Sequence, residues 1–176
     1  MPMTTYVLMA GLPGTGKSTL AEALARELNG VVLSKDLVRS AVFPGALTDY
    51  TREQDDLCFA MVLDAARYLA DRQHMGLIFL DGRTFSRREQ IKQAIHAAEQ
   101  AGCAWRILLA TCPDAVAEAR LMADAGKHPA SNRNIGLYRD VKARFEAILQ
   151  PHLEIDTSQP LEVCVERALA IFRKGD

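Results

Sequence analysis

Gly11-Leu12-Pro13-Gly14-Thr15-Gly16-Lys17-Ser18, with Thr19 after it, satisfies the pattern G-x-x-x-x-G-K-[ST] at every fixed position. Its flanks fit the same reading. Tyr6-Val7-Leu8-Met9-Ala10 is an apolar run of strand length, and Ser18 to Leu28 places Leu20, Leu24 and Leu28 on one helical face. Strand, glycine-rich turn and helix in that order build an anion site. The glycines let backbone N–H groups close around a phosphate, and the helix start adds unsatisfied donors and partial positive charge. Lys17 is placed to reach the β- and γ-phosphates, and the Ser18 hydroxyl to ligate Mg²⁺. A bare structural turn explains the glycines but not a Lys-Ser pair at this position.

Further along, short apolar runs alternate with helical patterns. Val31-Val32-Leu33 reads as a second strand, with Ser34 capping a helix that carries Asp36 in its first turn and Arg39 one turn on. Phe43-Pro44-Gly45-Ala46 reads as loop, and Thr51-x-x-Gln54 as a capping box. The helix opened there carries Leu57, Met61, Ala65, Tyr68 and Leu69 at helical spacing, which predicts a core stripe. Leu77 to Asp81 suits a buried parallel strand ending in an acid, and Arg83, Thr84 and Phe85 follow in the loop a substrate would meet. Ser86-x-x-Glu89 predicts another helix start. Trp105 to Ala110 is a fourth strand, Pro113 marks the next helix, and the polar stretch from Gly126 to Arg133 reads as a lid. Helix is expected again over Tyr138 to Leu149, a fifth strand over Pro151 to Ile155, and a closing helix from Pro160.

The length, 176 residues, suits one domain over 1–176, with the lid region at about 120–136. With 49% hydrophobic and 24% charged residues the composition is that of a globular protein. A formal net charge of −1 and the lack of an aromatic-rich basic surface count against nucleic acid, though a local basic cleft is compatible with it. Cys58, Cys103, Cys112 and Cys164 show no C-x-x-C spacing and sit in apolar neighbourhoods, as buried thiols of a reducing compartment do. No secretory pattern and no apolar segment of membrane length is visible, so the expected location is cytoplasmic. The alternation argues an α/β fold with helices on both faces of a parallel sheet. Right-handed crossovers then gather the phosphate loop, Asp36 with Arg39, and Asp81 on one rim.

On these residues the chain resembles the P-loop small-molecule and polynucleotide kinase group, which includes polynucleotide 5′-hydroxyl kinases, chloramphenicol phosphotransferases, gluconate and shikimate kinases and zeta toxins. The marks are the phosphate loop, Ser34-Lys35-Asp36-x-x-Arg39, Asp81-Gly82-Arg83-Thr84 and His128-Pro129-Ala130-x-Asn132-Arg133. The resemblance implies a three-layer P-loop NTPase fold with a five-stranded parallel sheet and a helical lid. It implies transfer of the γ-phosphoryl group of ATP, with Mg²⁺, to a hydroxyl of a small-molecule acceptor.

By position, Asp36 matches the acid that takes the hydroxyl proton, Arg39 the residue near an acceptor phosphate, and Asp81 the acid after the third strand. Arg120 and Arg133 match lid arginines. The expected catalytic set is therefore Lys17, Asp36, Arg39, Arg120 and Arg133. The nucleotide set is Gly11, Pro13, Gly14, Thr15, Gly16, Lys17, Ser18, Thr19, Arg120 and Thr157, and the metal residues are Ser18 and Asp81. The chain departs from the group in lacking a D-x-D at the second strand and closely spaced lid arginines. Two alternatives stand beside the small-molecule kinase: a polynucleotide 5′-hydroxyl kinase, and an ATP-binding switch with slow ATPase activity.

Overall fold

Five apolar runs pair side by side in a computed structural model that describes residues 3–72, 75–124, 127 and 129–173. The strands are β1 (Thr5–Ala10), β2 (Val31–Ser34), β3 (Leu77–Asp81), β4 (Ala104–Thr111) and β5 (Leu153–Asp156). They lie in the order β2-β3-β1-β4-β5, and every pairing is parallel. The helices are α1 (Lys17–Glu27), α2 (Lys35–Val42), α3 (Arg52–Asp71), α4 (Arg88–Gln100), α5 (Asp114–Ala123), α6 (Ile135–Ala143) and α7 (Leu161–Arg173).

The period-two alternation of β1 sorts the core. Tyr6, Leu8 and Ala10 face α3 and α4 in one cluster, with Phe59, Val62, Ala66, Ile91, Ala94 and Ala98. Val7 and Met9 face α1 and α7 in the other, with Leu20, Leu24, Cys164, Ala168 and Leu169. Both faces are covered, which is why β1 carries no polar position from Val7 to Ala10. A third, small cluster joins α5 and α6 through Ala117, Leu121 and Tyr138, and Leu12 of the phosphate loop packs against it. The architecture is a three-layer α/β fold, one parallel sheet between two helical layers. No helix among the described residues is long and apolar enough to cross a membrane.

Several local expectations are corrected. The α3 stripe is displaced by one residue. Cys58, Phe59, Val62, Ala66 and Ala70 are buried, while Leu57, Ala65 and Tyr68 are exposed. Helix α6 starts at Asn134, whose Oδ1 accepts from Leu137 N at 2.9 Å, and stops at Ala143, so Phe145 and Leu149 lie in irregular chain. Helix α4 starts after Arg87 rather than Ser86, and Pro113 caps α5 instead of opening its first turn. The loop expected around Phe43 holds a short 3₁₀ turn at Gly45–Leu47. Of the four cysteines, Cys112 is only half-buried, and all are free thiols. Gly126 and His128 of the expected lid lie outside the described residues.

Candidate active site

The carboxyl ends of β1, β2 and β3 open into a cavity of about 710 Å³. The phosphate loop lines one side. Gly16 takes φ 78° as the N-cap of α1, a conformation that a side chain would strain. Lys17 is buried at 9% exposure, and its Nζ donates to Leu12 O at 2.8 Å. Burial lowers the Lys17 ammonium to about 8, and the Arg133 charge adds to that fall against the opposing pull of Asp81.

Asp81, 2% exposed at the end of β3, accepts a 2.7 Å hydrogen bond on Oδ2 from Ser18 Oγ. Its Oδ1 is buried and has no hydrogen-bond partner. An orphaned carboxylate oxygen beside a serine hydroxyl fits a divalent cation, because leaving such an oxygen dry and unpaired is costly. Among the described residues no group of three or more His, Cys, Asp or Glu gathers as a metal cluster, so such an ion would draw its remaining ligands from phosphate and water.

The β2–β3 register pairs Ser34 with Asp81, which sets the start of α2 directly beside the end of β3. Ser34 Oγ accepts from Leu37 N at 3.4 Å, the cap expected there. Gly82 (φ 83°) makes the close approach: a Cβ on it would stand 2.9 Å from Asp36 N. Asp36 thus stands on the rim beside the phosphate loop, at 3.4 Å from both Lys35 Nζ and Arg39 Nη1.

Arg39 does more than flank Asp36. Its Nη2 donates to Asp55 Oδ1 at 2.8 Å, and its guanidinium lies 5.2 Å from the Tyr50 ring centroid. Lys35 Nζ also bonds Asp55 Oδ1, and Arg83 holds Asp55 Oδ2 from Nε at 3.2 Å and Nη2 at 2.9 Å. Burial pushes the Asp55 carboxyl up, but Lys35, Arg83 and Arg39 outweigh it and hold it well below the usual carboxylate range. The sequence reading missed Asp55 and gave Lys35 no role. Arg83 was expected to meet substrate. It is instead 2% exposed, bonded to Asp55, Asp56 and Gln93 (3.1 Å), with its guanidinium 4.3 Å from the Phe59 ring centroid. Phe85 is likewise buried, edge-on to Phe59 at 5.6 Å.

On the opposite side, Arg120 donates to Thr157 Oγ1 at 3.1 Å and Thr157 O at 2.7 Å. Thr157 Oγ1 donates to Thr15 O at 2.7 Å, so one threonine ties α5, the end of β5 and the phosphate loop together. Thr19 and Pro13 line the cavity, as does the half-exposed Arg133. Gly14 also lines the cavity, and neither it nor Gly11 has room for a side chain: a Cβ would meet Ala117 O at 2.8 Å and Ala110 O at 2.4 Å respectively. Tyr50 reaches across to residues 129–133, where its hydroxyl accepts from Ser131 N at 2.7 Å and pairs with Ser131 Oγ at 2.9 Å.

Residues 7–149 match the family AAA_33, described as an AAA domain. The fold is that of several solved kinases. The APS kinase of Mycobacterium tuberculosis, solved with AMPPNP and APS, is 19% identical with TM-score 0.74, over 99% of this chain and 100% of that one. A sugar kinase from a Janibacter species is 22% identical with TM-score 0.70, over 99% and 96%. A gluconokinase from Sinorhizobium meliloti is 16% identical with TM-score 0.65, over 99% and 98%. The comparison with curated proteins gave no match.

Proposed function

We propose that this chain, which belongs to the AAA_33 family of AAA domains, is an ATP-dependent kinase that phosphorylates a hydroxyl of a small-molecule acceptor. The observation that carries this reading is the Ser34–Asp81 pairing, which sets Asp36 and Asp81 side by side at the mouth of the phosphate loop. The acceptor oxygen forms a bond to the γ-phosphorus, the bond from that phosphorus to the β–γ bridging oxygen breaks, and ADP leaves. The acceptor's proton passes to the Asp36 carboxylate. Arg39 and Lys35, both within 3.4 Å, keep that carboxylate oriented.

Lys17 and the loop amides receive the phosphates, and Arg120 and Arg133 complete the cationic wall against which charge develops. Ser18 and Asp81 would hold Mg²⁺, which supplies charge neutralisation at the β- and γ-oxygens. Supporting the small-molecule class is the mixed polar and apolar lining of the cavity, whose size falls within the roughly 300–1,000 Å³ of small-ligand pockets.

The test is transfer of label from γ-labelled ATP to a panel of small hydroxyl compounds and 5′-hydroxyl oligonucleotides. Label is expected in a small acceptor. Asp36→Asn is expected to cut transfer roughly 10²- to 10⁴-fold with ATP affinity held, and Lys17→Ala to remove productive nucleotide binding. Transfer that survives Lys17→Ala, or label released only as free phosphate whatever the acceptor, would end this reading.

A further inference from the structure

The cavity's arginines and lysines divide by partner. Lys35, Arg39 and Arg83 are held on Asp55, and Arg52 pairs with Glu89 at 2.8 Å. Lys17, Arg120 and Arg133 stand where the phosphates of ATP are placed above. Arg87 and Arg144 also line the cavity, and among the described residues neither forms an ion pair with a carboxylate.

Arg87 is also out of place by helix chemistry. It occupies the N-cap of α4, where Ser, Thr, Asp or Asn is preferred and where the helix dipole opposes a cation. The cap is answered from the helix instead, since Gln90 Oε1 accepts from Arg87 N at 3.4 Å, and the Arg87 side chain is left to line the cavity. The fold then adds a second cation to it. Glu146 N donates to Ser86 O at 2.9 Å, Arg88 N to Glu146 Oε2 at 2.6 Å, and Arg88 Nε to Ala147 O at 3.3 Å. These bonds stitch the segment after Arg144 to the start of α4. The Arg52–Glu89 ion pair joins the same wall to the loop holding Tyr50, on the Asp36 side of the cavity.

We propose that Arg87, Arg144 and the positive end of α4 form an oxyanion subsite for the acceptor. The acceptor would then carry a phosphate, sulfate or carboxylate in addition to the hydroxyl that is phosphorylated. This rests on the kinase reading above, and it names the substrate class: a hydroxy compound that is already an anion.

The probe is inorganic sulfate, titrated into the full chain saturated with Mg²⁺ and a non-hydrolysable ATP analogue, so that Lys17, Arg120 and Arg133 are occupied. Saturable sulfate binding is expected. Arg87→Gln and Arg144→Gln should each weaken it roughly tenfold or more. Arg67→Gln, which removes a cation on the outer face of α3, should leave it unchanged. A second arm compares a neutral polyol with its phosphate ester and its carboxylic acid counterpart as acceptors, which separates the anion types. The preferred anion should lower KM against the neutral parent, and Arg87→Gln/Arg144→Gln should erase that gap with kcat largely kept. Sulfate binding that is absent, or equal in the double variant, overturns the subsite, as does a lower KM for the neutral parent. Failure of the analogue itself to bind would instead strike the kinase reading.

Discussion

The two ends of the cavity treat positive charge in opposite ways. At the phosphate loop, Lys17, Arg120 and Arg133 have no carboxylate ion pair among the described residues, and Lys17 sits buried at a cost to its own ionisation. At the α2–α3 end, Lys35, Arg39 and Arg83 all converge on Asp55. The first end leaves its charge unspent for a polyanion. The second is internally neutralised, and it serves to hold α2, and with it Asp36, against α3 and β3. Burial of a charge therefore means readiness in one place and rigidity in the other.

The largest separation between them should come from stability. Asp55→Ala leaves three largely buried cations without their common acceptor and should cost about 3–5 kcal/mol in urea unfolding. Lys17→Met should leave stability unchanged or raised, while nucleotide binding is lost. Equal losses in both variants would erase the contrast. Gly82→Ala forces a Cβ to within 2.9 Å of Asp36 N at φ 83° and should cost about 1–3 kcal/mol. It should lower kcat with KM for ATP held, because it moves Asp36 and not the loop.

A pH series sharpens the same comparison. The Lys17 ammonium is lowered to about 8 in the free chain, and a bound polyphosphate raises it. Nucleotide affinity should therefore be flat below pH 8 and fall about tenfold per unit above it, with proton uptake seen by calorimetry in two buffers. Between about pH 8 and 10.4 the unfolded chain keeps a proton that folded Lys17 has released, so stability should rise there, and Lys17→Met should flatten the rise. Asp55 gives the same slope in an acid window. Its lowered carboxyl stabilises above about pH 4, and that contribution is lost on acidification. The smallest effect is expected for Tyr50→Phe, which removes two exposed hydrogen bonds to Ser131. It should change global stability by about 1 kcal/mol or less, but speed amide exchange at Ser131 about fivefold.

What the sequence disclosed follows the same division. The phosphate loop is contiguous, so eight adjacent residues carried it, and the strands that frame it are short apolar runs. Asp36 and Asp81 were readable as rim acids because parallel topology alone brings strand ends together. Asp55 was not readable, since its partners lie 16 to 28 residues away and nothing local marks it. Helix α3 offers two apolar stripes, Leu57-Met61-Ala65 and Cys58-Val62-Ala66. The sheet takes the second, which brings Phe59 onto Phe85 and Arg83. Helix α6 was overextended because Phe145 and Leu149 continue its period, whereas Glu146 N bonds Ser86 O instead of continuing the helical ladder.

The Ser34–Asp81 register has a consequence for how such a molecule diversifies. The residue assigned to the metal is the ladder partner of Ser34, about 4.8 Å away across the sheet, and the residue assigned to the proton follows Ser34 by two positions in the first turn of α2, so the ladder fixes where that turn begins relative to Asp81. Residues 50–52 and 84–90, which contribute to the rest of the wall, belong to loops and helix ends outside that ladder. The sheet acts as a ruler for the chemistry and the loops as a mould for the guest, so the mould can be recast for a different hydroxyl compound while the ruler stays the same.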